Sequence, residues 1–217
     1  MLLYLIRHAD PDYEHDSLTE KGWKEAQALA EWLKDIKIDR IITSPSGRAI
    51  DTAKPTLAIK GMTSEVYEWP GESYDYMCSD DLNPQTDCEY SFSVREGVHD
   101  FRDFDDSDRM ERVDAAMKQA DGFLESCGYK RRGIFYDPIR PNDDSIAVFS
   151  HRGFGTAWIS YLLGIAPGLM WPILVLDPSS ITTFEFFIED DHDFVRPSLR
   201  RMNDLTHLYK AGLKTDF

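Results

Sequence analysis

Leu2-Leu3-Tyr4-Leu5-Ile6-Arg7-His8 is the stretch on which the fold turns. Its first five residues form an unbroken apolar run of the kind expected for a buried strand, and the run stops abruptly at a cation and an imidazole. In open α/β sheets, ligands bind just beyond the carboxyl ends of the strands. Arg7 and His8 therefore stand where chemistry is done rather than where packing is needed. The device returns in Ser145-Ile146-Ala147-Val148-Phe149, a second short apolar run, which ends in Ser150-His151-Arg152-Gly153-Phe154-Gly155. Two strands each deliver a histidine.

Between them lies Arg40-Ile41-Ile42-Thr43-Ser44-Pro45-Ser46-Gly47-Arg48-Ala49, where a β-branched run breaks at Ser-Pro and restarts as a helix carrying Ile50-Asp51-Thr52-Ala53. That reading puts Arg48 in a first helical turn. A guanidinium offers up to five donors in a rigid fork and stays charged, so Arg7 and Arg48 together suit a dianionic phosphoryl group. Backbone amides at the helix starts are expected to add to that attraction.

Four ordered motifs carry a resemblance. Leu5-Ile6-Arg7-His8, Leu18-Thr19-Glu20-Lys21-Gly22, the Ser44-Pro45 to Arg48-Ala49 and Thr52-Ala53 series, and Ser150-His151 together resemble the histidine phosphatase superfamily, the phosphoglycerate-mutase-like proteins, over roughly the whole chain. The resemblance implies a three-layer α/β/α sandwich with a mostly parallel central sheet. It also implies that His8 attacks phosphorus and becomes a transient phosphohistidine while Arg7, Arg48 and His151 hold the transferring oxygens. Physical chemistry is consistent with each role. A neutral imidazole is available near neutrality from an unperturbed pKa of ~6.5. Preorganised cations meet the charge on the equatorial phosphoryl oxygens, so the reaction needs neither metal nor cofactor.

The family places a glutamate, as proton donor to the leaving oxygen, after the strand that follows this helix. Glu65 and Glu68 fall inside the strand-like Ser64–Trp69, whereas Glu72 follows Pro70-Gly71 and belongs to the loop beyond the strand end, 24 residues after Arg48. Glu72 is the favoured acid and Glu68 the alternative. Two positions depart from the family pattern: Ala9 and Arg152 stand where glycine is usual. Arg152 either adds a third cation at the pocket rim, favouring a second acidic group on the substrate, or points to solvent.

The rest of the chain reads as one α/β domain, residues 1–217, with an insertion. Ser17-Leu18-Thr19-Glu20 opens a helix capped by Thr19 or Ser17, and Trp23, Ala26, Leu29, Ala30 and Leu33 recur at helical spacing as core. A second helix is readable over 110–124, crossing over to the strand that ends at His151. A third spans 153–163, and a late strand lies within 180–188. Regular patterning fails at about 71–108, which reads as a lid-like insertion over the site, with Tyr74, Tyr76, Arg95, His99 and Arg102 as candidate substrate contacts. Its acidic stretch, residues 100–108, lacks the spacing of a calcium loop and reads as a solvated charge run.

A net charge of −15 argues against attraction to nucleic acid or an anionic membrane, so an anionic small-molecule ester must be caught by a local cationic pocket. The basic cluster Lys130-Arg131-Arg132 is expected in a surface loop before Gly133. Three cysteines without metal-type spacing suggest free thiols and a reducing compartment. The N-terminus runs directly into the first strand without a signal peptide, and no apolar run approaches a membrane span, so cytoplasmic residence is expected. His15, His99, His192 and His207 form no short-spaced ligand set.

The leading expectation is a metal-independent phosphomonoesterase acting on a small phosphate ester. The alternatives are a phosphoglycerate-type mutase, or a phosphate-ligand or protein-binding module with little catalysis. Asp10-Pro11-Asp12-Tyr13-Glu14 weighs against the mutase, because an acidic lining there disfavours a carboxylate-bearing substrate.

Overall fold

The N-terminal apolar run forms strand β1 (Leu2–Arg7), the start of a sequence of elements that a computed structural model describes over residues 1–73, 107–165, 170–171, 173–188 and 192–213, the side chains of 107–111 excepted. After β1 come β2 (Pro11–Asp12), β3 (Ser17–Leu18), α1 (Glu20–Leu33), β4 (Arg40–Thr43), α2 (Gly47–Lys60) and β5 (Glu65–Val66). Then follow α3 (Ser107–Ser126), β6 (Tyr129–Arg132), β7 (Phe135–Pro138), β8 (Ser145–Ser150), α4 (Arg152–Leu163), β9 (Ile181–Glu185), β10 (Ser198–Asp204) and α5 (Thr206–Lys210). Most of the 71–108 insertion, with Tyr74, Tyr76, Arg95, His99 and Arg102, lies outside the described residues.

Six strands form one sheet in the order β10-β9-β1-β8-β4-β5. β1, β8, β4 and β5 run parallel, and β9 pairs antiparallel with both β1 and β10. Because side chains alternate across a strand, each buried strand feeds two cores. Leu3, Leu5, Ile146, Val148 and Phe184 face the layer that contains α3 and α4. Ile6, Ala147, Phe149 and Ile181 face Leu29 and Leu33 of α1 and Ala53 of α2. Helices thus cover both faces of the sheet, the three-layer α/β/α arrangement, which explains why β8 is buried along its whole length.

Thr19, not Ser17, caps α1, its hydroxyl accepting the Gly22 N–H at 3.0 Å. The inward stripe of α1 is Gly22, Glu25, Ala26, Leu29, Ala30 and Leu33, and Trp23 is 39% exposed instead of core. Trp23 is one residue, about 100° of rotation, beyond Gly22, so its ring lies on the flank of the stripe. Glu25 turns inward because its carboxylate accepts the Asp10 N–H at 2.8 Å.

The basic cluster is strand rather than loop: Lys130, Arg131 and Arg132 pair with Asp137, Tyr136 and Phe135 in a hairpin turning at Gly133. This hairpin interrupts the expected direct crossover from α3 to β8. Asp121 fixes it by accepting from Arg131 Nε at 2.9 Å, Tyr136 OH at 3.0 Å and Tyr161 OH at 2.6 Å, with the Arg131 guanidinium 3.7 Å over the Tyr161 ring. β5 pairs through Glu65 and Val66 alone, shorter than the 64–69 reading. Among the described residues, no helix is long and apolar enough to cross a membrane.

Candidate active site

Arg7 and Ser150 are the last register partners of β1 and β8, so the residues that follow them, His8 and His151, emerge side by side at one sheet edge. Their ring centroids are 5.2 Å apart. The His8 N–H donates to the Ser150 carbonyl at 2.9 Å, carrying the pairing one residue past the strand. His8 is 2% exposed and His151 is fully buried. Burial depresses the His8 pKa to about 3, with the charges of Arg7 and Arg48 adding to the effect. His151 falls to about 2 by burial, then by His8, Arg48 and Arg7. Both rings are neutral at physiological pH.

The tautomer of His8 follows from the one hydrogen bond its ring makes to a described residue. Nδ1 lies 2.8 Å from the Ala9 carbonyl, and a carbonyl only accepts, so Nδ1 carries the proton and Nε2 keeps its lone pair. His151 Nε2 contacts the Ser44 hydroxyl at 2.7 Å, while its Nδ1 is buried with no partner among the described residues.

Cations close around the pair. Arg7 is held by its Nη1, which donates to the Leu176 carbonyl at 2.5 Å, and its Nε is buried without a partner among the described residues. Arg48 stands in the first turn of α2, as the sequence suggests. Its Nη1 donates to Asp16 Oδ1 at 2.5 Å, and its Nε is likewise unpartnered among the described residues. Thr52, one turn on, accepts the Ala9 N–H at 2.9 Å and donates to the Arg48 carbonyl at 2.7 Å, tying α2 to the backbone beside His8.

Glu72 docks on the start of α4. Its Oε2 accepts the Gly153 N–H at 3.1 Å and its Oε1 the Phe154 N–H at 3.2 Å. Burial raises its pKa, against the lowering effect of backbone N–H donors and of Arg48. Glu68 is exposed, and Glu65 is exposed and paired with Arg40 at 2.8 Å. The helix-start amides are not free for a ligand as expected. Gly153 and Phe154 donate to Glu72, and Gly47 donates to Asp16 Oδ2 at 2.7 Å. Both helix starts are already capped by carboxylates, which leaves the guanidinium groups and the His151 ring to meet an anion.

Comparison with known proteins settles the class. The histidine phosphatase superfamily (branch 1) model matches residues 3–196. The chain belongs to that superfamily. It is thus a phosphatase, and solved structures share its fold. An Entamoeba histolytica phosphoserine phosphatase mutant, crystallised with phosphoserine, is 22% identical with TM-score 0.61, covering 95% of this chain and 98% of the other. A mycobacterial glucosyl-3-phosphoglycerate phosphatase is 19% identical with TM-score 0.62, covering 93% and 98%. A structure described as a putative α-ribazole-5′-phosphate phosphatase from Escherichia coli is 21% identical with TM-score 0.59, covering 94% and 97%. A search of curated proteins gave no significant match.

In this histidine phosphatase the two departures from the glycine pattern behave differently. Ala9 is fully buried, packs with Leu18 and Ala26, and is not among the left-handed residues Asp16, Ser179 and Asn203, so its methyl group costs no backbone strain. Arg152 opens α4, with its guanidinium 5.1 Å over the Trp171 ring. Sequence reasoning quoted Ser44 within a motif without its contact to His151, and missed Asp16 and the loop before β9, where Ser180 accepts the Arg7 N–H at 3.1 Å and Ser179 donates its N–H to the His8 carbonyl at 3.0 Å. Only the polar character of Asp16-Ser17 and Ser179-Ser180 could have signalled them. Among the described residues, no three His, Cys, Asp or Glu side chains converge as a metal site.

Proposed function

We propose that this phosphatase is a metal-independent phosphomonoesterase that hydrolyses a small phosphate ester through a phosphohistidine on His8. The observation that carries the reading is the neutral His8 ring, whose Nδ1–H is held by the Ala9 carbonyl and whose Nε2 lone pair is left for attack. Nε2 forms a bond to phosphorus as the bond to the ester oxygen breaks. Glu72 gives that oxygen its proton, released as the alcohol. The Glu72 carboxylate then takes a proton from water, whose oxygen attacks phosphohistidine and returns Nε2 with inorganic phosphate.

Arg7 and Arg48 balance the charge on the transferring oxygens, so no ion is needed for that task. A phosphoryl oxygen also gives the orphaned Nδ1 of His151 its partner. With Nδ1 protonated, Nε2 of the same ring accepts from the Ser44 hydroxyl. Neighbours named for phosphoserine and glucosyl-3-phosphoglycerate, and one crystallised with 3-phosphoglyceric acid, support a small metabolite ester over a macromolecule. The free buried thiol of Cys127 fits the reducing cytoplasm.

The test is phosphate release from p-nitrophenyl phosphate and a panel of metabolite esters, with EDTA present, for wild type beside His8→Ala. Chelator-resistant turnover that drops at least ~10³-fold in the variant is expected, since the covalent route is then closed. Full activity of His8→Ala overturns the mechanism. An isomeric ester appearing in place of phosphate makes the enzyme a mutase.

A further inference from the structure

The Arg152 side chain makes no hydrogen bond or ion pair with any described residue, yet it is built into the site rather than left in solvent. It is the first residue of α4, between His151, which directly precedes that helix, and Gly153, whose amide holds Glu72. Its Nε is buried without a partner among the described residues. The ring of Trp171 lies against its guanidinium at 5.1 Å and fixes where it sits. Its charge reaches Arg7, opposing the protonation of that guanidinium. Two cations brought together in a partly dry site are uphill until an anion lies with them.

We infer that Arg152 is a specificity residue that selects phosphate esters carrying a carboxylate close to the phosphoryl group. The inference rests on the phosphomonoesterase reading above. Arg7 and Arg48 take the phosphoryl oxygens, and Arg152 takes the second anion. The group is a carboxylate because Trp171 occupies a face of the guanidinium and leaves its edge. That edge is a planar fork matching the two coplanar oxygens of a carboxylate. The acidic loop after His8 does not stand against this. Asp10 Oδ2 accepts from the Thr19 hydroxyl at 2.5 Å. Asp12 takes the amides of Glu14 and His15 at 3.1 and 3.3 Å and contacts the His15 ring at 2.8 Å. Asp10 and Asp12 are engaged within their own loop and its junction with α1, and Glu14, the third carboxylate of the stretch, is exposed.

The experiment compares kcat/KM for phosphoglycolate and for ethyl phosphate, a pair differing by carboxylate against methyl, in wild type and in Arg152→Met. Wild type is expected to prefer phosphoglycolate by about 10- to 100-fold, the usual worth of a hydrogen bond to a charged group, and Arg152→Met to lose most of that ratio. Arg152→Gln replaces it if the methionine variant does not fold. Turnover of both esters with a wild-type ratio near one, or a preference that survives the substitution, overturns the inference and leaves the phosphatase reading standing. No turnover of any ester by wild type overturns that reading, and the inference with it.

Discussion

Glu72 is held by two opposed influences, and under the proposed mechanism their balance sets the pH behaviour of the enzyme. Burial raises its pKa, while backbone N–H groups and the charge of Arg48 pull it down. The net shift is upward, so the acid form persists above the ordinary glutamate value of ~4.3 and is lost as pH rises through the raised one. Since the proton donor must be protonated, kcat/KM for alkyl phosphates should fall on the alkaline side. His8, neutral above about 3, should contribute no acid limb in the working range. Glu72→Gln should lower kcat on an alkyl phosphate by about 10²- to 10⁴-fold and much less on p-nitrophenyl phosphate, whose leaving group needs little protonation. It should also erase the alkaline limb; a pH–rate profile with the limb intact in the variant would remove Glu72 as the donor. Although β5 ends at Val66 and Glu68, expected inside the strand, lies beyond it as well, that Glu72 lies in a loop was legible in the sequence. The carboxylate's docking on Gly153 and Phe154 was not, because it joins residues some 80 positions apart.

At the scale of elements, the site depends on how closely two helix starts approach the loop after His8. Gly22 in α1 faces the Asp10 carbonyl and Gly47 in α2 faces the Asp16 carbonyl, both nearer than any Cβ tolerates. Alanine usually stabilises a helix by about 1 kcal/mol over glycine, but here overpacking should win. Gly22→Ala should therefore cost ~1–3 kcal/mol, a drop in Tm of ~2–12 °C for a chain of this size, read in a thermal melt. An unchanged or raised Tm would mean that the loop gives way freely. Gly47→Ala should also raise KM, because Asp16 ties the loop to both Gly47 and Arg48. These contacts explain where sequence reading stops. An apolar run with a polar end announces β1 and β8 by itself, and helical spacing announces α1. Asp16, Ser179 and the β6–β7 hairpin carry no such periodic signal: Lys130-Arg131-Arg132 does not alternate, and its strand forms because Asp121 and Tyr161 receive Arg131.

For the whole molecule, the consequence is acid sensitivity arising from histidines that the fold keeps neutral. His8, His151 and His207 have folded pKa values of about 3, about 2 and about 4, each chiefly through burial. In the unfolded chain each takes a proton near ~6.5, so the stability from keeping them neutral is fully present above that pH and lost as pH falls towards the folded values. Each histidine contributes about 1.4 kcal/mol per pH unit across that window. The raised Glu72 works with the opposite sign, adding stability as pH falls. So does partial neutralisation of the −15 net charge, which relieves self-repulsion. A difference measurement separates the terms. His207 is buried in α5, bonded at 2.9 Å to the hydroxyl of Ser179, the residue whose amide holds the His8 carbonyl. In His207→Gln the Glu72 and net-charge terms remain while one histidine drops out. Urea unfolding at pH 7.5, 6.5 and 5.5 should then show the variant less stable at pH 7.5 but losing stability more slowly, the two curves converging by about 1 kcal/mol per unit below pH 6.5. Parallel curves would show that His207 is protonated alike in the folded and unfolded chains, and that the acid response has another source.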